Sequence, residues 1–182
     1  LQVPQVKAVT LRRRGRVRFE QAACLMSMPG EVTVARPAAP AAPPPEERGD
    51  AVRDAIRDLP ACTSFFDAVA ALLPASGRVL DLGCGEGRVL DRLPAAVAYA
   101  GVDAAPERIE RARRRHAARA GASFACADLD EVAPDAGAYD AVVALNTHQL
   151  PGVDGARLLR RALAALRPGG RLVVFWPSSP QS

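Results

Sequence analysis

Apolar and polar residues alternate along the chain in blocks that predict strands and helices in turn. Short apolar runs predict five strands, at residues 78–82, 97–102, 122–125, 139–145 and 171–176. Apolar residues at helical spacing predict helices at residues 50–59, 64–73, 86–93, 106–120 and 154–166. Strands that alternate with helices indicate an α/β fold with a doubly wound, mainly parallel sheet.

The first part of the chain lacks this pattern. Residues 11–18 are basic with little periodicity, and prolines interleaved with alanines follow at Pro37, Pro40, Pro43, Pro44 and Pro45. Such a composition is typical of a flexible or polyproline-like linker. We therefore expect residues 1–48 to be disordered and residues 49–182 to form one folded domain.

Composition and charge narrow the function classes. Of the 182 residues, 49% are apolar and 24% are charged, and no stretch approaches the roughly 20 apolar residues that span a bilayer. The net charge is +4. Six of the 24 basic residues lie in residues 1–19, which contain no acid, so the rest of the chain carries 18 basic against 20 acidic residues. The predicted domain does not attract phosphate by charge alone, which disfavours nucleic-acid binding.

The four cysteines are scattered singly, at Cys24, Cys62, Cys84 and Cys126. Without a CxxC pair or a Cys/His cluster, no zinc site is indicated. A disulfide framework is not expected in a chain of this length without a secretory signal. We expect reduced thiols, no metal and a cytoplasmic location.

A glycine-rich turn after the first predicted strand gives the strongest chemical signal. Asp81, Gly83, Gly85 and Gly87 form the pattern D-x-G-x-G-x-G. Glycines allow the backbone to approach a ligand, which in open α/β sheets lies beyond the carboxyl ends of the strands. The Asp81 carboxylate suits a cationic or amine-bearing ligand and would repel a pyrophosphate. The spacing also differs from the G-x-G-x-x-G fingerprint, which argues against a nicotinamide dehydrogenase.

Two further acids follow the next two predicted strands. Asp103 lies 16 residues after Gly87, at the end of the second predicted strand, where a carboxylate can accept both hydroxyl protons of a ribose. Asp128 follows the third predicted strand, where its carboxylate could accept the exocyclic amine of an adenine. A polar loop without a ligand is the alternative for Asp128, because Asp130 and Glu131 lie beside it.

Over residues 64–176, these motifs and the Pro-Gly-Gly turn at residues 168–170 resemble the class I S-adenosylmethionine-dependent methyltransferases. The resemblance implies a Rossmann-like sheet in the strand order 3-2-1-4-5, with S-adenosylmethionine as cofactor. It implies that the turn from Asp81 to Gly87 cradles the methionine part, that Asp103 holds the ribose and that Asp128 contacts the adenine. The cofactor-binding residues that it implies are Asp81, Gly83, Cys84, Gly85, Gly87, Asp103, Ala104, Asp128, Leu129 and Asn146.

The segment after the fourth predicted strand, residues 146–149, then faces cofactor and substrate. A neutral imidazole at His148 could take a proton from a substrate hydroxyl or amine, so His148 is the candidate catalytic base. A loop histidine without a catalytic role is the alternative. The segment is not the N/D-P-P-Y/F tetrapeptide of the enzymes that methylate amino groups of DNA. Cys84 is expected to fill the turn rather than act as a nucleophile, since no His or Lys neighbours it in sequence.

We therefore expect methyl transfer from S-adenosylmethionine to an oxygen or nitrogen atom of a small molecule. One alternative is an RNA or protein methyltransferase that docks its substrate on the basic run at residues 111–115 or on the basic N-terminal tail. A solvated helix face is the simpler interpretation of that run. A non-catalytic fragment that binds S-adenosylmethionine is the other alternative.

The resemblance also carries an expectation about the last predicted strand. A complete domain of the family continues into two more strands, and the sequence after residue 176 supplies neither. The apolar strand at residues 171–176 would then keep one unpaired edge. Because such edges are templates for association, we expect a homodimer through this edge, aggregation or marginal stability.

Overall fold

A computed structural model describes residues 5–11, 17–22, 60–145 and 153–176. The strands in chain order are β1 (Gln5–Leu11), β2 (Val17–Ala22), β3 (Gly77–Leu82), β4 (Val97–Asp103), β5 (Ala122–Cys126), β6 (Tyr139–Leu145) and β7 (Leu166–Trp176). The helices are α1 (Pro60–Ala71), α2 (Pro106–Arg115) and α3 (Gly155–Ala165), and a short 3-10 helix spans Leu90–Arg92.

The described strands form one sheet in the order β2-β1-β7-β6-β3-β4-β5. The five strands from β3 to β7 run parallel to their neighbours in that part of the sheet. Counted from β3, their order is 3-2-1-4-5. The predicted fold class and strand order are therefore confirmed.

Helices cover both faces of the sheet. Successive residues of a strand point to opposite faces, so one strand contacts helices on both sides. Val79 of β3 belongs to a core cluster with Val69 of α1 and Ile109 of α2. Leu80, the next residue, belongs to the cluster on the opposite face with Leu158 of α3. All five side chains are almost fully buried. The sheet is thus the middle one of three layers, and β3 is the central strand of its five parallel strands.

The N-terminal residues take part in the sheet. β1 and β2 pair antiparallel, and β1 also pairs antiparallel with β7, from Gln5 opposite Trp176 to Thr10 opposite Arg171. The expectation of disorder is therefore wrong for residues 5–11 and 17–22. The remaining residues of the predicted disordered segment lie outside the described residues. The backbone groups along the edge of β7 need partners, and β1 supplies them.

The same pairing overturns the expectation of an exposed edge at the last predicted strand. β7 pairs with β6 on one side and with β1 on the other. β1 thus lies beside β7, where the sequence predicts that one of the family's two further strands is missing. The premise of a homodimer through this edge is wrong, because the edge of β7 already has a partner strand within the chain.

The prediction of a helix at residues 86–93 is also wrong. Gly87 has a φ of +76°, a left-handed value that a right-handed α-helix does not accommodate. The chain therefore continues in turns and closes with short-range hydrogen bonds. The Leu90 N–H donates to the Gly87 carbonyl at 3.0 Å, and the Arg92 N–H donates to the Val89 carbonyl at 3.1 Å.

Other differences concern the ends of elements. α1 begins at Pro60 instead of Ser64, and proline is well suited to the first turn of a helix. α2 ends at Arg115, where His116 stacks on Phe124 with ring centroids 5.6 Å apart. β7 begins already at Leu166, so the turn predicted at residues 168–170 lies within the strand. The pairing of β7 with β6 shifts its register there. The helix predicted at residues 50–59 lies outside the described residues.

Candidate functional site

The glycine-rich turn is tied to the end of the neighbouring strand. The N–H groups of Gly83 and Cys84 both donate to the carbonyl of Val102, at 2.7 and 3.0 Å. Gly85 has a φ of +54°, and a Cβ built on it would meet no protein atom within 4 Å. The turn therefore presents bare backbone with open space above it, as a site for a closely approaching ligand requires.

Asp103 is the last residue of β4 and is held by backbone donors on both carboxylate oxygens. The Gly85 N–H donates to Oδ2 at 2.8 Å, and the Ala105 N–H donates to Oδ1 at 3.0 Å. The side chain is 8% exposed. A carboxylate offers about four acceptor positions, so these two bonds orient the group and leave capacity for two hydroxyl donors.

Asp81 is the second acid and is buried at the end of β3, with 2% exposure. The Tyr99 hydroxyl donates to its Oδ2 at 2.6 Å. The pKa of Asp81 is raised from 3.8 to about 7, mainly by burial and in part by the negative charge of Asp103, while the Tyr99 hydrogen bond opposes the rise. Near neutral pH, a positive charge bound next to this carboxyl therefore favours its ionised form.

Both acids line a cavity of about 260 Å³ at the carboxyl ends of β3, β4 and β6. Of the residues predicted from the sequence, seven line it: Asp81, Gly83, Cys84, Gly85, Asp103, Ala104 and Leu129. They come from three separate stretches of the chain that the parallel sheet brings together. The cavity therefore unites the glycine turn with the acid of the second predicted strand.

Two predicted residues lie in described parts of the chain but do not line the cavity. Gly87 packs against His116 instead, and a Cβ built on it would lie 2.9 Å from the His116 Nε2. Asp128 is exposed, and its Oδ1 accepts a hydrogen bond of 2.8 Å from the Asp130 N–H. Asn146 and His148 lie outside the described residues.

The thiol of Cys84 is packed inside the turn. Its Sγ donates to the Gly85 carbonyl at 3.6 Å and would lie 2.8 Å from a Cβ built on Gly101. Burial, together with the charges of Asp81 and Asp103, raises the pKa of the thiol. A protonated, buried thiol is a poor nucleophile, which agrees with the space-filling interpretation.

The cavity also contains residues that were not predicted as site residues. They are Phe65, Phe66, Glu86, Arg88, Val89, Arg108 and Leu145. The two phenylalanines belong to α1, whose apolar periodicity predicts inward packing but not which of its residues reach the cavity. Arg108 lies in the first turns of α2. The sequence of this helix contains several arginines, and it does not indicate that Arg108 is the one that lines the cavity. Tyr99 was missed because a tyrosine in an apolar strand gives no chemical signal.

The basic run on α2 is largely engaged in ion pairs and hydrogen bonds. Arg115 contacts both carboxylate oxygens of Asp91, with a shortest distance of 2.6 Å. Arg111 lies 3.0 Å from the Glu86 carboxylate, and Arg113 donates to a backbone carbonyl at 2.8 Å. These contacts fit a solvated helix face that also braces the glycine turn.

The polar groups of the cavity fit the cofactor that the resemblance implies. A nucleoside with a free ribose needs an oriented carboxylate, which Asp103 provides with acceptor capacity to spare. A sulfonium or ammonium group needs a nearby acid, which Asp81 provides. The open space above Gly85 gives the ligand access to backbone. Among the described residues, no cluster of three or more His, Cys, Asp or Glu side chains could hold a metal ion.

The comparison with protein families agrees with this geometry. A family model described as "Methyltransferase domain" matches residues 79–170, which is half of the chain. The chain belongs to this methyltransferase family. The sheet has the strand order that the resemblance to the class I S-adenosylmethionine-dependent methyltransferases implies, and the cavity fits S-adenosylmethionine as the cofactor.

Among its relatives, the chain is similar to the 27-O-demethylrifamycin SV methyltransferase of Amycolatopsis mediterranei. The two are 38% identical over 124 residues, which cover 63% of this chain and 44% of the relative. It is 34% identical over 112 residues to a ubiquinone biosynthesis O-methyltransferase of Xanthomonas axonopodis, covering 58% of this chain and 45% of the relative. The chain thus spans less than half the length of these two relatives.

Among solved structures, the methyltransferase chain is similar to the [4+2]-cyclase SpnF. The TM-score is 0.56 and the identity is 29%, covering 63% of this chain and 44% of the cyclase. The name of that protein refers to a cyclisation, so similarity in fold does not by itself fix the reaction. In the part of the chain that the structure describes, no helix has the length and apolar character needed to cross a membrane.

Proposed function

We propose that this protein catalyses the transfer of a methyl group from S-adenosylmethionine to an oxygen or nitrogen atom of a small molecule. The observation that carries the proposal is the pair of acids in one cavity. Asp103 is oriented by two backbone donors, and Asp81 is buried beside it with a pKa near neutrality. This combination suits a cationic nucleoside better than a dinucleotide with its negative pyrophosphate.

The residues of the chain bind and align in this proposal. Asp103 accepts the two ribose hydroxyls, and the backbone from Gly83 to Gly85 lies along the methionine part together with Asp81. Ala104 and Leu129 line the adenine side, where Asp128 and Asn146 are further proposed contacts. The cofactor supplies an electrophilic methyl group on a sulfonium, so the protein mainly holds the acceptor atom in line with it.

The acceptor side of the cavity is assigned to the apolar residues. Leu145 ends β6, and Phe65 packs edge-to-face against Phe175 of β7 with ring centroids 5.1 Å apart. These residues lie on the other side of β3 from Asp103. They suit an acceptor with an apolar or aromatic body. The names of the two relatives also point to O-methylation of small organic molecules.

His148 is proposed as the base that takes the proton of an acceptor hydroxyl. In sequence it lies three residues after Leu145, which ends β6 and lines the cavity. A cytoplasmic location also remains a proposal. It rests on the free thiols, which in the described residues are Cys84 and Cys126.

Two measurements test the proposal. Isothermal titration should show binding of S-adenosylmethionine and S-adenosylhomocysteine and no binding of NAD. Release of S-adenosylhomocysteine should then be followed with catechol and 4-hydroxybenzoate as probe acceptors, and with total RNA and a mixed protein extract for comparison. Turnover with RNA or protein alone would favour the macromolecular alternative. Cofactor binding without turnover on any of the four would favour a binding protein or another reaction on the same fold.

A further inference from the structure

Tyr99 and Asp81 form a buried polar pair beneath the cavity. The hydroxyl donates to the carboxylate at 2.6 Å, and each side chain is 2% exposed. Tyr99 lies on β4 opposite Val79 of β3, two positions before the pair of Asp81 and Gly101. The tyrosine therefore reaches forward along the sheet to the one acid of β3 that lines the cavity.

The tyrosine ring is fixed by its surroundings. It packs against Phe124 with ring centroids 5.7 Å apart, and a Cβ on Gly101 would lie 3.0 Å from its Cε1. A ring held in this way cannot follow a carboxyl that turns away. The hydrogen bond thus fixes the orientation of Asp81 as well as stabilising its charge.

We propose that Tyr99 is a positioning residue of the cofactor site, whose hydroxyl aims the Asp81 carboxyl at a cationic cofactor, favours its ionised form and so sets the pH range of cofactor binding. This inference rests on the proposed function, because it needs a cationic cofactor in the cavity. Tyr99 acts through Asp81 and does not line the cavity itself.

The charges around Asp81 determine the direction of the effect. Asp103 of β4 raises the pKa of Asp81, as does burial, and the hydrogen bond from Tyr99 lowers it. Cys84 on the turn is held protonated, while Arg88 and Arg108 line the same cavity. Removal of the Tyr99 hydroxyl therefore leaves burial and Asp103 unopposed by this donor, and the pKa of Asp81 rises.

The chain offers a matched control because it contains two tyrosines. Tyr139 is also buried, but it lies at the opposite end of the sheet, where the guanidinium of Arg78 sits 4.8 Å from its ring centre. Tyr139→Phe thus removes a hydroxyl from the same kind of side chain far from the cavity.

The test measures S-adenosylmethionine affinity by isothermal titration from pH 5.5 to 9 in the wild type, Tyr99→Phe, Tyr139→Phe and Asp81→Asn. In the wild type, affinity should fall as the pH drops through about 7. In Tyr99→Phe, the midpoint should move up by about one pH unit, with binding about fivefold weaker at pH 7 and nearly equal at pH 9. Tyr139→Phe should follow the wild type, and Asp81→Asn should lose the step. Ionisation of the cofactor itself affects all four proteins equally, so differences between their pH profiles come from the protein.

A profile of Tyr99→Phe that overlays the wild type would overturn the inference, as would a step retained in Asp81→Asn. The Asp81 carboxyl should also be titrated by NMR in the cofactor-free wild type and Tyr99→Phe proteins, where a higher midpoint in the variant is expected. This second measurement separates the two proposals. A wild type that binds no cofactor contradicts the proposed function, whereas equal NMR midpoints contradict the role of Tyr99.

Discussion

The backbone N–H of Gly85 donates a hydrogen bond of 2.8 Å to Oδ2 of Asp103, although 18 residues separate the two in sequence. The bond joins the glycine turn after β3 to the acid that ends β4. Each feature thereby fixes the other, and a ligand that contacts both meets a preformed surface. Changes on either side of this bond should therefore affect cofactor binding before they affect the fold.

Replacement of Asp103 by alanine should weaken binding of S-adenosylmethionine and S-adenosylhomocysteine by well over tenfold. The substitution removes the proposed ribose acceptor and leaves the N–H groups of Gly85 and Ala105 without their partner. Loss of a hydrogen bond to a charged group costs about 1.5–3 kcal/mol, and a tenfold change in affinity corresponds to about 1.4 kcal/mol. Isothermal titration checks the result, with the exposed Asp135→Ala as control. Equal affinities at an unchanged circular dichroism spectrum would refute the ribose assignment.

Two glycines of the turn should respond differently to alanine. Both have a positive φ, and the left-handed conformation costs a non-glycine residue about 1–2 kcal/mol. At Gly85 the added methyl meets open space in the cavity, whereas at Gly87 it lies 2.9 Å from His116 Nε2. We expect Gly85→Ala to lose cofactor affinity with a modest drop in Tm, and Gly87→Ala to lose clearly more Tm. Thermal melts and titrations of both variants decide this, and the reverse order of Tm would contradict it.

Stability should depend on pH through Asp81. The folded-state pKa of about 7 lies above the ordinary value of 3.8, so between these values the folded state holds a proton that the unfolded state has lost. The Asp81 contribution to the free energy of unfolding therefore falls as pH rises from about 4 to about 7, and it stays low above that. Asp81→Asn cannot ionise, so its stability relative to the wild type should increase over this range by a few kcal/mol. Urea unfolding at pH 5 and pH 8 measures the difference, and a constant difference would show that Asp81 does not titrate in this range.

His148→Gln should lower turnover of a hydroxyl acceptor and leave cofactor affinity unchanged. General-base catalysis typically contributes about 10²–10⁴-fold, so a loss in that range is expected where the acceptor enters as a neutral hydroxyl. The loss should shrink as pH rises toward the pKa of the acceptor, because an ionised acceptor needs no base. A rate equal to that of the wild type at every pH would remove His148 from the mechanism.

The sequence could predict the parts of this protein in which periodicity and local chemistry agree. The five parallel strands followed from apolar runs, and Asp81 and Asp103 followed from their places at strand ends. Tyr99 could not be predicted as a partner of Asp81, because the pairing depends on the register of two strands. The β1–β2 hairpin was missed because charge and nearby prolines dominated the composition, although β-branched residues such as Val6, Val9 and Thr10 favour strands.

The hairpin can be tested by a single proline. β1 lies between β2 and β7, so the N–H of each of its residues faces one of the two ladders. Ala8 pairs with Glu20 on one side and with Val173 on the other, and Ala8→Pro removes one ladder donor and distorts the strand. A backbone acceptor left without its partner costs about 1–3 kcal/mol, so the variant should unfold at lower urea concentration.

With β1 displaced, the edge of β7 becomes free to pair with a second chain, and size-exclusion chromatography with light scattering should show association that grows with protein concentration. Ala8→Thr keeps the N–H and should behave as the wild type. A monomeric Ala8→Pro protein of wild-type stability would show that β1 does not protect the edge of β7 in solution.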